Sequence, residues 1–306
     1  MSDIPTDNGD NGEGVGQDEA EQFRLTGIAR LSRDLVQAAV TLSDTEARFL
    51  VDAYYIAQEG RKRAANQERS MAGTAGTTPE PHEVLTWLAA QNRLLEQQIQ
   101  RALDRYTDGR PIGRWLKSIY GIGPVISAGL IAHIDIKLSP TAGHLWSFAG
   151  LNPEQVWEKH QRRPWNARLK TLTWKVGQSF LKFSNVEECR YGRLYRERKA
   201  QEVARNDSGA NANAAAAILQ RKNIGKTTEA YKHLSSGKLP PAQVDARARR
   251  FVVKLFLSHL QLVWWFMDQG KLPPAPYAIA HGGHAHFLAP PSIELVPGLG
   301  EALEHY

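Results

Sequence analysis

The spacing of apolar side chains constrains this chain most, because they recur every three or four residues along almost every patterned segment and few runs alternate like a strand. That interval places apolar groups on one face of a helix. It is clearest from Glu83 to Tyr106, in a seam formed by Leu85, Leu88, Asn92, Leu95, Ile99, Ala102 and Tyr106. We therefore predict a mainly α-helical protein whose central element is the very apolar segment from Gln243 to Gln269.

The seam predicts an N-terminal helical hairpin over residues 41–110 that resembles a coiled coil. Ser43 and Glu46 have the spacing of a capping box at the start of its first helix. Asn92 is polar within the seam, as in residues that select a register or a partner. The residues expected to join two copies of the chain are Leu88, Asn92, Leu95 and Ile99. Because only about three heptads are present, a hairpin packed on its own core is nearly as well supported as a homodimer.

Charge is distributed unevenly along the sequence. Residues 1–21 hold seven acids and no Lys or Arg, which leaves 38 basic and 25 acidic residues, a net of +13, in residues 22–306. This charge suits a polyanion, and DNA is the expected partner. The Gly-, Asn- and Asp-rich start predicts a disordered acidic tail over residues 1–40, because it has too few apolar groups to offset the entropy of ordering. We expect the tail to serve solvation rather than compete for the basic surface.

Several classes of protein and site are disfavoured. Cys189 is the only cysteine, so no intramolecular disulfide or thiolate zinc site is expected, and a reducing, cytoplasmic location near the nucleoid is predicted. The most apolar segment, 251–267, contains a lysine and a histidine, and no leader peptide is recognised, so no membrane partner is expected. The three histidines of the Pro/His-rich tail at 271–306 predict an extended segment rather than a metal site; they are His281, His284 and His286. No metal and no cofactor are predicted.

Residues 116–134, LKSIYGIGPVISAGLIAHI, favour a helix-hairpin-helix within a helical domain spanning 111–270. In this motif a glycine turn exposes backbone N–H groups, which bind phosphates of any sequence with help from the dipole of the next helix. The residues predicted to contact nucleic acid here are Lys117, Ser118, Gly121, Ile122 and Gly123. A plain turn between two core helices is the alternative, and the motif alone leaves the two about equally supported.

A basic region follows between Glu154 and Arg205, with thirteen basic and six acidic residues. Arg162 and Arg163 form a pair in it, and a stripe with a seven-residue repeat comprises Arg168, Lys175 and Lys182. All five are predicted to bind nucleic acid. Aromatic residues between them could stack on bases, but the tryptophans are expected to lie in the core. They are Trp157, Trp165 and Trp174.

Four blocks carry a resemblance to a known family: 116–134, LWSFAGLNP at 145–153, WNARLKTLTWKVGQSF at 165–180 and YGRLYRERKA at 191–200. In this order they are similar to the C-terminal domain of insertion-sequence transposases of the IS110 family. The resemblance covers about residues 112–200. It implies a role in DNA transposition or recombination, an RNase-H-like domain with acidic metal ligands, and a nucleophilic serine shortly after the GLxP block.

This sequence departs from the family on both catalytic features. No RNase-H-like pattern precedes Ser43, and the stretch from Glu154 to Asn166 contains no serine. We therefore assign no catalytic residue and expect a DNA-binding protein that lacks its own catalytic site. Two alternatives stay open: an active transposase or recombinase completed by a separate catalytic chain, and a guide-RNA-binding module that grips structured RNA.

Overall fold

The computed structural model describes residues 30–72, 83–274 and 287–304. About 71% of these described residues are helical, and no strand occurs among them, which confirms the predicted fold class. The α-helices among them are α1 (Arg33–Ala38), α2 (Asp44–Ala72), α3 (Glu83–Asp108), α4 (Pro111–Ser118), α5 (Pro124–His133), α6 (Ala142–Phe148), α7 (Ala167–Lys182), α8 (Arg190–Asp207), α9 (Ala212–Arg221), α10 (Glu229–Ser235), α11 (Pro241–Gln269) and α12 (Leu299–Leu303). The 3₁₀ helices are Ala39–Thr41, Ile136–Leu138 and Ile293–Leu295.

The chain divides into two compact units, and α2 and α3 contribute a segment to each. The described part of the first unit comprises residues 30–32, 56–72 and 83–98. Here the two helical segments contact each other through Arg61, whose Nε lies 2.6 Å from a carboxylate oxygen of the buried Glu96. A Cβ placed on Gly60 would lie 2.9 Å from Oδ1 of Asn92, so the helices approach closely at this polar seam position.

The seam is exposed to a different degree along its length. Leu88 is 43% exposed and Leu95 is half-buried, whereas Ile99, at the start of the second unit's segment of α3, is buried. Tyr106 is fully buried and its hydroxyl donates a 2.7 Å hydrogen bond to Asp44 of α2 within the second unit. The C-terminal part of the seam therefore packs within the same chain. Pairing of two copies through the N-terminal part of the seam stays a prediction.

The second unit comprises residues 33–55 and 99–306, of which 275–286 and the last two residues lie outside the described ranges. Its central element is α11, as predicted, because eleven of its residues are buried and it packs on α4, α6, α7 and α8. Four aromatic side chains from four helices form the middle of this core: Trp115, Phe180, Tyr191 and Phe256. The helices that carry the glycine turn and the basic stripe are thus fixed to one apolar centre.

The predicted capping box is present at the start of α2. The backbone N–H of Ser43 donates to the Glu46 carboxylate at 2.8 Å, and the N–H of Glu46 donates to the Ser43 hydroxyl at 3.3 Å. Of the disordered acidic tail predicted over residues 1–40, residues 1–29 lie outside the described ranges, whereas Arg33–Ala38 form α1. His281, His284 and His286 also lie outside the described ranges.

Candidate nucleic-acid interface

Two short helices, α4 and α5, are joined by a turn at residues 119–123. Gly121 has φ +91°, a conformation that favours glycine. Gly123 precedes α5 with an extended backbone, and a Cβ added there would meet no atom within 4 Å. The side chain of Ile122 is buried between them. The backbone before α5 is therefore open to solvent at Gly123, while Ile122 anchors the turn in the core.

The C-terminal end of α7 holds this turn in place. The Ser179 hydroxyl donates a hydrogen bond to the Gly121 carbonyl, and the Tyr120 ring packs edge-on against Phe183 at 5.3 Å between centroids. Lys182 extends this contact, since its Nζ lies 5.3 Å from the centre of the Phe183 ring. The structure thus connects two features that the sequence predicted separately, namely the glycine turn and the last cation of the basic stripe.

Lys117 and Ser118, which precede the turn, have partners inside the protein. The Lys117 ammonium group lies 2.7 Å from Asp104 and 2.6 Å from Asp108. Burial lowers the pKa of Lys117, but hydrogen bonds to these two carboxylates outweigh it, so the pKa is raised overall. The Ser118 hydroxyl donates to the Trp115 carbonyl at 2.7 Å. Both residues are engaged in local structure, and their contact with nucleic acid stays a prediction.

The seven-residue stripe on α7 divides into two parts. Arg168 pairs with Asp52 of α2 at 3.1 Å, and Lys175 lies over the Tyr55 ring at 3.6 Å from its centre. Lys182 is exposed and forms no ion pair within the described ranges. Because Arg168 remains 67% exposed despite its partner, the stripe still presents positive charge to solvent along α7.

Arg162 and Arg163 lie on an ordered loop at residues 151–166, which joins α6 to α7. Both side chains are exposed. Arg163 lies 5.2 Å from the centre of the Trp157 ring, whose indole N–H donates to the Gln161 carbonyl at 2.8 Å. On the same side, burial and then the charge of Arg163 lower the pKa of Lys170, so these cations repel one another. The loop is a local concentration of positive charge next to α7.

The expectation that the tryptophans are core residues is wrong for two of them. Trp174, on α7, is 59% exposed, and Trp157 is 40% exposed. Trp165 is half-buried, with Lys170 Nζ 3.9 Å from the centre of its ring. Composition and hydrophobicity do not say which face of a helix packs against the core. The 3.6-residue period places Trp174 on the side of α7 away from the buried Leu172, Val176 and Phe180. Exposed indole rings offer a surface on which bases stack, and neighbouring cations attract the phosphates.

Sequence reasoning also missed how Gly150 shapes this surface. It has φ +67°, and a Cβ there would lie 2.8 Å from Cγ of Trp165 and 2.9 Å from Cδ of Lys170. The position of Gly150 just after α6 could have indicated this conformation, because a glycine with positive φ often ends a helix. Asn166 then caps α7 by accepting from the N–H groups of Arg168 and Leu169, both at 3.0 Å.

Two other kinds of site are absent from the described ranges. Among the residues with described coordinates, no group of three or more His, Cys, Asp or Glu side chains is placed to hold a metal ion. No described helix combines the length and the hydropathy needed to span a membrane.

Residues 113–182 match the model of the family described as "Transposase IS116/IS110/IS902 family". The match begins within α4, contains the glycine turn and the loop at 151–166, and ends with the last residue of α7. Comparisons with curated proteins and with solved structures gave no significant match. The resemblance inferred from the sequence blocks is confirmed over residues 113–182, which are similar to transposases of the IS116/IS110/IS902 family.

Proposed function

We propose that this transposase-related chain binds DNA through backbone phosphates, using the turn at 119–123, the basic face of α7 and the loop at 151–166. The observation that carries the proposal is the match of residues 113–182 to a transposase family, because this segment contains all three features. The role proposed for the bound chain is in DNA transposition or recombination.

The arrangement of charges and backbone supports this proposal. Gly123 leaves open space before α5, a ten-residue helix whose first N–H groups and dipole favour an anion. Lys182 is linked to the same turn through Phe183 and Tyr120. Arg162 and Arg163 add exposed positive charge, and the exposed indoles of Trp157 and Trp174 offer stacking surfaces for a distorted or single-stranded segment.

Binding of this kind is expected to be steep in salt and nearly independent of sequence, because cations and amides contact phosphates and release counterions. The test measures the affinity for several random duplexes of equal length between low and moderate salt. We expect a fall of orders of magnitude and a small spread between sequences. A flat salt response, or strong discrimination between the duplexes, would contradict the proposal.

A matched pair of variants tests the loop. Arg162→Gln with Arg163→Gln is expected to weaken binding and to reduce the slope of log affinity against log salt by about one to two. Lys222→Gln with Lys226→Gln removes the same charge from exposed positions outside the proposed surface and serves as the control. Equal effects of both pairs would mean that the net charge matters and the loop does not.

The family match also favours a second candidate, an active transposase or recombinase completed by a separate catalytic chain.

The kind of nucleic acid that this chain binds is tested by comparing its affinity for DNA, structured RNA and a hybrid duplex at matched salt. Preference for RNA would replace the DNA proposal with the guide-RNA reading.

A further inference from the structure

A concave basic cluster borders the surface described above, where α8 and α11 meet the first residues of the loop after α6. Its walls enclose about 590 Å³. Five cations and one carboxylate line it, together with the Gly-Leu-Asn-Pro segment at 150–153. The charged residues are Arg198, Glu202, Arg205, Arg247, Arg250 and Lys254.

The sequence spacing explains why these side chains meet. On α8 the members lie at positions 198, 202 and 205, and on α11 at 247, 250 and 254. Each set falls within an arc of about 60° on its helix. Asp245 of α11 lies away from this arc and pairs with Lys199 at 3.1 Å and with Arg249 at 2.8 Å. Asp245 is therefore engaged elsewhere, and the lining of the cavity has Glu202 as its one carboxylate.

Glu202 is buried and holds three of the arginines together. Its carboxylate oxygens lie 2.6 Å from Arg198, 3.6 Å from Arg247 and 4.0 Å from Arg205. One negative charge thus faces three positive charges, and Arg250 and Lys254 add two more. The cavity lining keeps an excess of four positive charges.

Arg250 and Lys254 form no ion pair in the part of the chain with described coordinates. The α6 side chain Trp146 braces Lys254, since its indole N–H donates to the Lys254 carbonyl at 3.0 Å and the lysine Nζ lies 4.4 Å from the centre of the ring. Burial and then the charge of Arg250 lower the pKa of Lys254. Arg250 and Lys254 thus line one cavity in spite of desolvation and mutual repulsion, and an anion bound between them would offset both costs.

We propose that this cavity is a second phosphate-binding site, in which Arg250 and Lys254 take a backbone phosphate of the bound DNA while the Glu202 clamp fixes the neighbouring arginines. The assignment rests on the DNA binding proposed above and extends it to α8 and α11. Guanidinium groups suit phosphate because their N–H groups form a fork that matches two of its oxygens.

The test uses the double variant Arg250→Gln with Lys254→Gln, which leaves Glu202 and its three arginines intact. Affinity for a random duplex is expected to fall about tenfold or more at moderate salt, and the salt slope to fall by about one to two. The control, Lys222→Gln with Lys226→Gln, removes the same net charge. If wild type binds DNA and the two double variants behave alike, the cavity inference is wrong; if wild type does not bind DNA, the proposed function fails first.

Two further measurements separate binding from folding. The melting temperature of the DNA-free cavity variant is expected to equal or exceed that of wild type, because the substitutions relieve repulsion. If it falls, the charge-conserving pair Arg250→Lys with Lys254→Arg decides, since it must keep the wild-type salt slope. A loss of affinity confined to an RNA duplex of the same length would overturn the assignment to DNA.

Discussion

At the scale of single residues, Gly121 and Gly123 have different reasons to be glycine. Gly121 has φ +91°, and a Cβ there would lie 3.2 Å from the Ser179 hydroxyl. Gly123 has an ordinary extended backbone and open space around it. The first position is demanded by the fold, whereas nothing in the fold forbids a side chain at the second. Binding of a phosphate at the N–H groups would supply the missing reason.

Gly123→Val is therefore expected to lower DNA affinity about tenfold or more without lowering the melting temperature, because the branched side chain blocks the approach of a phosphate to the backbone. Gly121→Ala is expected to destabilise the protein by roughly 1–2 kcal/mol, the cost of a left-handed conformation for a residue with a Cβ. Gel-shift and circular-dichroism melting on the same samples measure both effects. Gly300→Val, at another open glycine, is the control; full affinity in Gly123→Val would make the turn purely structural.

His259 is a buried histidine whose two ring nitrogens both have partners. Nε2 lies 2.7 Å from the Leu288 carbonyl, which can only accept, so Nε2 carries the proton and Nδ1 accepts the Tyr191 hydroxyl at 2.7 Å. The neutral ring is thus fully satisfied. Burial lowers the pKa of His259 from 6.5 to about 4, with a smaller contribution from the charge of Arg190. The unfolded chain therefore binds a proton at a higher pH than the folded protein does.

Stability should consequently depend on pH through His259. Its contribution is complete above about pH 6.5 and is lost as the pH falls toward 4, up to about 3 kcal/mol. Denaturant unfolding at pH values from 7 to 4.5 measures this loss. His259→Gln is expected to be less stable at pH 7 but to show a shallower decline on acidification. Parallel curves for the two proteins would show that other groups control the acid sensitivity.

At the scale of elements, the sequence predicts a helix correctly wherever its apolar side chains form one face. The helix predicted from Glu83 to Tyr106 is α3, and in α7 the apolar residues at helical spacing, Leu169, Leu172 and Val176, are buried on one face. The same period places Trp174 away from that face, and its prediction as a core residue was wrong because an indole serves equally in a core and on a surface. Periodicity could not say which part of the α3 seam is buried within the chain, since that depends on residues of α2 far away in sequence.

Asn92→Leu is expected to change the size or register of an oligomer rather than unfold the protein. Asn92 lies at the close approach to Gly60 in the first unit, and its amide donates to the Leu88 carbonyl of its own helix at 3.0 Å. A polar seam residue of this kind restricts the ways in which helices can pair. Light scattering on wild type and variant makes the comparison, with Gln97→Leu at an exposed position of α3 as the control. A wild-type monomer at every accessible concentration would rule out the homodimer.

At the scale of the whole molecule, the distribution of charge could be predicted from the sequence, but the pairing of charges could not. The excess of basic residues after position 21 is a matter of counting. Whether a given cation is available depends on contacts such as Arg168 with Asp52 and Lys117 with Asp104. The cluster of α8 and α11 was missed for the same reason, because each helix alone shows an ordinary surface spacing. A cation is a candidate for binding only once its partners are known.

The serines near the candidate surface bear on whether this chain breaks DNA. Nucleophilic attack by a serine needs a base that takes the hydroxyl proton. Ser179 donates its proton to the Gly121 carbonyl, and Ser147 accepts a hydrogen bond from the Asn152 amide at 3.2 Å. His144, in the same cavity as Ser147, has its Nδ1 2.8 Å from the Thr141 hydroxyl. The Ser179 hydroxyl thus contacts the turn and the Ser147 hydroxyl contacts the GLNP segment. Within the described ranges, neither hydroxyl has a hydrogen bond to a histidine or a carboxylate.

We therefore expect the purified chain alone to bind DNA without nicking or joining it. The segment from Glu154 to Asn166, where the family resemblance implies a nucleophile, has no serine, and Ser147 and Ser179 lie outside it. Incubation with Mg²⁺ and supercoiled plasmid should leave the topology unchanged at protein concentrations that saturate binding. Ser147→Ala and Ser179→Ala serve as matched variants, expected to affect stability alone. Nicking by wild type that disappears in either variant would instead identify that hydroxyl as the nucleophile and make this chain an enzyme.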